Sequence, residues 1–492
     1  MEELTKLVEL LENKGKSTTA AFLNYADSSS LETRLYQLIK DNAVESEPEL
    51  IQNLYGDFTK ANAFKMLKTR VKKKLYNQLL FLDLSGFEIS FGSNSAELEC
   101  RHYLQLANMF RVTGETALAR IQLQKAMVLA EEVQLIDCQI EAYKALRAIL
   151  TIHGFNRREY EECISKLAEL YTLAEYEKRA DELFHNIKFE YKLGANAGNS
   201  LINTLKDVTD ELKASWHKTN LYTVFRRYHQ LMNFYFELNG DFAAYIDYLN
   251  QTFDDYRAGK IHKAYFSESF TKYLLVYAYL KNGDYALGIQ EAEQLKKKLP
   301  EGSKNWFAHL ENYFLLAVHA QKFELAEKIL LEAFNNKHFK ENNQFAQERW
   351  TIFYQVYQSA YGFSIPVKLR KKLIVVQQDK KGFNLWCVIL DFMTALDNRH
   401  TNLIASEAER MKKYIARYLT AKEDARSKYM LKLLVVAGRE FPIDAASCRK
   451  KSEYLFSKLQ EAPVPGYAYA ETEIIPYEDL WEIILQKLDA SK

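Results

Sequence analysis

Turn-forming residues are scarce in this chain, which holds only 17 glycines and 7 prolines in 492 residues. Average usage is about 7% glycine and 5% proline. That shortage argues against a many-stranded sandwich, barrel or propeller, whose connections need both. Cysteine is sparse as well. Cys100, Cys138, Cys163, Cys387 and Cys448 are scattered, odd in number and form no C-x-x-C pair, which argues against a disulfide framework and a zinc site. Net charge is nearly absent, with 66 Lys and Arg against 65 Asp and Glu. Such balance gives no global pull toward nucleic acid or anionic lipid, so either partner needs a local patch. No window approaches roughly 18 uninterrupted apolar residues, and no membrane span is expected. The opening stretch MEELTKLVELLENKGK reads as an amphipathic helix on Leu4, Leu7, Val8 and Leu11 rather than a signal peptide. The cytoplasm is the expected compartment.

Catalytic motifs are missing too. The histidines, at 102, 153, 185, 217, 229, 262, 309, 319, 338 and 400, form no H-E-x-x-H and pair with no other His or Cys at ligand spacing. His309 and His319 fall on one helix but about 15 Å apart, too far to share a metal. KLGANAGNS (192–200) has two glycines but lacks the phosphate-loop lysine and follows no strand. No G-x-S-x-G occurs. Paired acids such as Glu161 and Glu162 read as a solvated helix face. The expectation is a protein with no catalytic residue, no metal and no cofactor.

What the chain does have is a period. From residue 97 onward, helical stretches break at Gly114, Gly154, Gly194, Gly240, Gly283, Gln321, Gly362, Asn398 and Gly438, at spacings of 40, 40, 46, 43, 38, 41, 36 and 40. Glycine at such places adopts the left-handed conformation that ends one helix and turns into the next. Each interval holds two ordinary helices and two short turns. Nine breaks imply about nine helical hairpins, an all-α solenoid.

Several units carry a specific packing phrase. Tyr103, Leu106, Ala107, Phe110, Gly114, Ala119, Leu123 and Ala126 spell bulky residues on a first helix facing small ones on a second. Phe236, Phe242, Tyr245 and Leu249 repeat it around Gly240, and Tyr279, Tyr285 and Ala292 around Gly283, where Pro300 stops the unit. Phe323, Ala326, Leu330 and Ala333 supply the next. Over about 100–335 this resembles the tetratricopeptide (TPR) repeat, although that repeat runs about 34 residues and the pattern weakens near 335–365. The resemblance implies a right-handed superhelix over 97–460. A helical head (1–96) precedes it, with Ser28, Ser29, Ser30 and the acidic stretch 45–49 as linkers. The tail (461–492) follows, with Pro463, Pro465 and Pro476 before a closing helix. Its Leu480, Trp481, Ile484, Leu485 and Leu488 are expected to dock as a cap, because so apolar a helix is unstable alone in water.

The resemblance also implies an inner groove that binds a peptide or protein, lined from set positions of the first helices. Those positions hold Arg101, Leu104, Asn108 and Arg111 in one unit. They hold Arg227, Gln230, Phe234 and Glu237 in another, and Phe270, Tyr273, Tyr277 and Leu280 in a third. Only Asn108 matches the family's clamp for a C-terminal carboxylate. Aromatics beside arginine are what binding hot spots favour, and the expected function is a non-enzymatic scaffold or adaptor.

One local charge excess supports an alternative. Residues 57–74 contain Lys60, Lys65, Lys68, Arg70, Lys72, Lys73 and Lys74 against Asp57 alone. Phe64, Leu67, Val71, Leu75 and Leu79 form the buried stripe of that helix, leaving the cations on its exposed face. A helix at 48–54, a turn at Gly56 and the basic helix at 60–74 match a helix-turn-helix, with FLDLSGFEISF (81–91) as a wing, and resemble winged-helix regulators. The alternative is therefore a transcriptional regulator whose head contacts DNA phosphates through Lys65, Lys68, Arg70, Lys72, Lys73 and Lys74.

Overall fold

The computed structural model describes residues 1, 3–8, 30–41, 46–79, 93–153, 156–193, 198–262, 266–373, 384–419, 424–462 and 473–489. Among them every regular element is helical and no strand occurs. The chain divides into Met1–Ala174 and Glu175–Lys492.

In the first unit, residues 3–8 are helical, followed by α1 (Leu31–Lys40), α2 (Glu47–Tyr55) and α3 (Ala61–Leu79). Ser30 caps α1 by accepting from the Thr33 amide, and Ser46 caps α2 by accepting from the Glu49 amide, an S-x-x-E capping sequence. Leu4, Leu35, Tyr36, Leu50, Phe64, Leu67, Val71 and Leu75 share one small core. The expected wing at 81–91 lies outside the described residues. Then come α4 (Ser93–Val112), α5 (Thr116–Glu132), α6 (Ile136–His153) and the start of α7 (Arg157–Leu193). Their separate core uses Ala107, Ala119, Ala126, Ala130 and Ala142 beside Leu104 and Leu123. These small residues let α4, α5 and α6 approach closely, as the repeat phrase requires.

The second unit continues through α8 (Gly198–Thr219), α9 (Tyr222–Asn239), α10 (Phe242–Arg257), α11 (Glu268–Asn282) and α12 (Tyr285–Lys296). Next are α13 (Lys304–His319), α14 (Phe323–Asn335), α15 (Gln344–Tyr361) and the single turn α16 (Val367–Arg370). It closes with α17 (Asn384–Asp397), α18 (Thr401–Tyr418), α19 (Ala425–Arg439), α20 (Ala445–Glu461) and α21 (Tyr477–Asp489). From α10 to α14 each helix packs on the next, and α11 also packs on α13. The large core centres on α13, where every residue from Trp306 to Val318 except Ala308 is buried. A helix buried on all sides lies inside its domain.

Gly240 and Gly283 end α9 and α11 in the left-handed conformation, at φ +70° and +86°. Gln321 takes the same conformation without being glycine, as do Gln134 between α5 and α6 and Asn220 between α8 and α9. Two of the breaks need correction. The left-handed residue after α17 is Arg399, not Asn398. Gly438 is no turn: it lies buried inside α19, where an added Cβ meets Phe392 Cε2 at 2.9 Å and the Ala408 Cβ at 3.0 Å. Gly154 and Gly194 lie outside the described residues, as do Pro463 and Pro465. Pro476 immediately precedes α21, whose Leu480, Trp481, Ile484, Leu485 and Leu488 are buried against α20, α17 and α19.

A candidate partner-binding face

The head's basic helix is largely engaged by its own neighbours. Lys68 pairs with Glu47 of α2 at 2.9 Å, Lys72 with Glu3, and Lys74 with Glu32 of α1, which Arg70 also approaches at 3.6 Å. Lys65 and Lys73 are exposed. The acids that neutralise the run come from other segments, so counting charge along 57–74 overstates the patch. Of the groove positions in the first hairpin, Arg101, Asn108 and Arg111 are exposed and Leu104 is not. Leu104 is only 4% exposed and belongs to the α4–α6 core, so it cannot line a groove. Arg101 pairs with Glu97 one turn away, and Arg111 donates to Asn108 at 2.8 Å.

In the second unit Glu237 of α9 lies near Tyr273 and Tyr277 of α11. Tyr191 of α7 stacks on Phe234 of α9 with ring centroids 4.5 Å apart and planes at 16°. Its hydroxyl donates to Glu237 at 2.9 Å. One turn and more below, the Arg227 guanidinium lies 4.4 Å from the Phe184 ring centre, pairs with Asp181 and donates to Gln230 at 3.0 Å. On α11, Tyr273, Tyr277 and Lys281 follow at four-residue steps and share one helix face. Lys281 lies 5.8 Å from the Tyr277 ring centre. Phe270 at the start of α11 is 45% exposed, whereas Leu280 is buried.

Electrostatics show what kind of surface this is. Tyr273 and Tyr277 are only half-buried, yet burial, more than any neighbouring charge, raises both phenols, Tyr277 well above the usual tyrosine range. Each ring is thus flanked by protein while part of it stays exposed. Burial likewise raises Glu237 and lowers Lys281. Both shifts disfavour charge in a partly desolvated place.

The surface extends to residues that the sequence reading did not single out. Glu311 and Asn312 of α13 are 7% and 9% exposed. Arg349 of α15 pairs with Glu311 at 3.1 Å and lies 5.1 Å from the Phe345 ring centre. Burial pushes the Glu311 carboxyl up to about 7 despite that arginine. The Asn312 amide lies beside Tyr273 and moderates the rise of its phenol. Its Nδ2 and Nε of Arg349 are both shielded from solvent. The signal was available. Adjacent Glu and Asn interrupt the otherwise apolar run NWFAHLENYFLLAVH, and polar residues inside a buried helix need a reason.

Among the described residues, no helix is long and apolar enough to cross a membrane. No protein-family model, no curated protein and no solved structure matches the chain. The tetratricopeptide resemblance therefore rests on the residues quoted for it.

Proposed function

We propose that this protein is a non-enzymatic scaffold whose hairpins form a right-handed, TPR-like array, and that it binds a peptide or protein partner on the wall built by α9, α11, α13 and α15. The observation that carries the reading is the row of half-buried Phe234, Tyr273 and Tyr277 beside Glu237, Lys281, Glu311 and Arg349. Rigid aromatic rings lose little freedom on binding and bury large area, which is why they dominate binding hot spots. A half-buried tyrosine with an intact phenol offers both an apolar face and a hydroxyl.

The test begins with affinity capture of a partner and reconstitution of the purified pair. The partner is expected to protect α9, α11 and α13 from hydrogen exchange. Changing Phe270, Tyr273 and Tyr277 together to Ala is expected to weaken binding by at least roughly thirty-fold, about 2 kcal/mol, with the helical circular dichroism retained. A partner held undiminished by that variant places the binding surface elsewhere.

A further inference from the structure

The ion pairs of the head leave one face of α3 open. Helical spacing puts Asn62, Lys65, Met66, Thr69, Arg70 and Lys73 on the side away from Phe64, Leu67, Val71 and Leu75, which hold the helix to the small core. All six are exposed. α3 itself contains no acidic residue. Lys68, Lys72 and Lys74, paired with Glu47, Glu3 and Glu32, are half-buried nearer the core. Among the described residues Lys65 and Lys73 form no ion pair. Arg70 is 61% exposed, and the Glu32 that it approaches at 3.6 Å is already held by Lys74. The cations of this helix thus divide into a structural set and an available set.

Their arrangement across the face selects a partner. At about 100° per residue, Asn62, Met66, Thr69 and Lys73 form a central ridge about 16 Å long, with Lys65 and Arg70 about 70° to either side. The Thr69 hydroxyl donates to the Lys65 carbonyl at 3.0 Å, so its methyl is the group left to offer. Met66 is 65% exposed. Anionic lipid favours an apolar face between cations, which Asn62 and Lys73 interrupt. Double-stranded DNA instead presents two lines of phosphate bordering a groove about 12 Å wide, which admits one α-helix. Cations on both flanks, with amide, methyl and ammonium groups between them, match that pattern.

Independently of the scaffold reading, we propose that this face of α3 enters the major groove of double-stranded DNA. Lys65 and Arg70 contact the flanking phosphates, and Lys68, Lys72 and Lys74 do not. Asn62, Met66, Thr69 and Lys73 meet base edges. An asparagine amide pairs with adenine, a lysine donates to guanine, and apolar groups such as the Thr69 methyl pack on the thymine methyl.

The experiment selects duplexes with a randomised centre on the full-length protein at low salt and carries the strongest into fluorescence anisotropy over a range of salt. The selection is expected to converge on one motif. Lys65→Gln and Arg70→Gln should weaken every duplex alike, each flattening the logarithmic salt slope by about 0.9. Asn62→Ala should leave the slope unchanged, weaken the selected duplex about five- to hundredfold and relax the preference at one base pair. Melting temperatures should hold in all three, because the side chains are exposed. Lys68→Gln, whose cation Glu47 already matches, should leave the slope as it was. An equal flattening by Lys68→Gln means that total charge rather than this face binds, and overturns the proposal. A selection without a motif overturns it too, as do Lys65→Gln and Arg70→Gln variants that bind like the unmodified protein. Retention of capped acidic peptides or phosphatidylserine vesicles but of no duplex gives the face to another anion and has the same consequence. None of these outcomes touches the surface of α9, α11, α13 and α15, whose reading stands on its own test.

Discussion

Gly438 and Gly240 both lack a side chain for a reason, and the reasons are different. At Gly240 the backbone is left-handed with open space around it, so alanine there is strained but meets nothing. At Gly438 the backbone is helical and the missing Cβ makes room for Phe392 and Ala408. Spacing along the sequence cannot tell these apart, because both positions record only the absence of a Cβ. Conversely, Gln134, Asn220, Gln321 and Arg399 turn the chain left-handed at a cost of roughly 1–2 kcal/mol each. Of these, only Gln321 falls on a break that the spacing picks out, and Arg399 lies one residue past another, at Asn398. We predict that Gly438→Ala destabilises the second unit by about 1–3 kcal/mol through overpacking, read as a lower urea midpoint with an unchanged slope. A midpoint equal to that of the unmodified protein means that α19 shifts freely against α17 and α18.

At the scale of elements, the closing helix was legible and its anchor was not. The apolar positions of α21 follow helical spacing, and the structure buries all five of the residues read as its apolar face. The anchor is Arg426 of α19, only 5% exposed. It forms ion pairs with Glu473 and Glu478 and donates to the Leu459 carbonyl at 3.1 Å. Forty-seven residues separate Arg426 from Glu473, and no local pattern links them. The basic helix α3 teaches the same lesson, since its acids sit on α1, on α2 and at Glu3. Helical periodicity reports which face of an element is buried, but not which distant charge it meets. Arg426→Met strands the buried Glu473 carboxylate, and breaking a buried pair from one side costs about 3–5 kcal/mol. Hydrogen exchange is therefore expected to show residues 473–489 losing protection before the rest of the second unit. Protection unchanged in Arg426→Met means that the apolar face of α21 alone holds it.

Across the molecule, the buried titratable groups set a pH profile with two opposed arms. Burial lowers His229, His309 and His319 to about 4. All three are held neutral, with Tyr248, the Ala292 carbonyl and the Glu473 carbonyl as their respective partners. A lowered histidine binds its proton more readily in the unfolded chain. Its contribution to stability is therefore complete above about pH 6.5 and is lost as pH falls toward 4. A shift of that size corresponds to on the order of 3 kcal/mol per group. Glu311 has the opposite sign: raised to about 7, it favours the folded state fully below the ordinary carboxylate range, and that support is lost as pH rises through about 7. Between pH 4.5 and 6.5 the two effects compete, and three histidines outweigh one glutamate. Urea midpoints are thus expected to climb from pH 4 to 6.5. Against Glu311→Gln the protein should lose ground from about pH 4.5 to 7 and level off above, because over that range the unfolded carboxyl has released the proton that the folded one keeps. A flat profile from pH 4 to 6.5 contradicts the neutral burial of the histidines. A constant gap between the two proteins from pH 6 to 8.5 means that Glu311 is already ionised beside Arg349, with its carboxylate fully matched by that arginine.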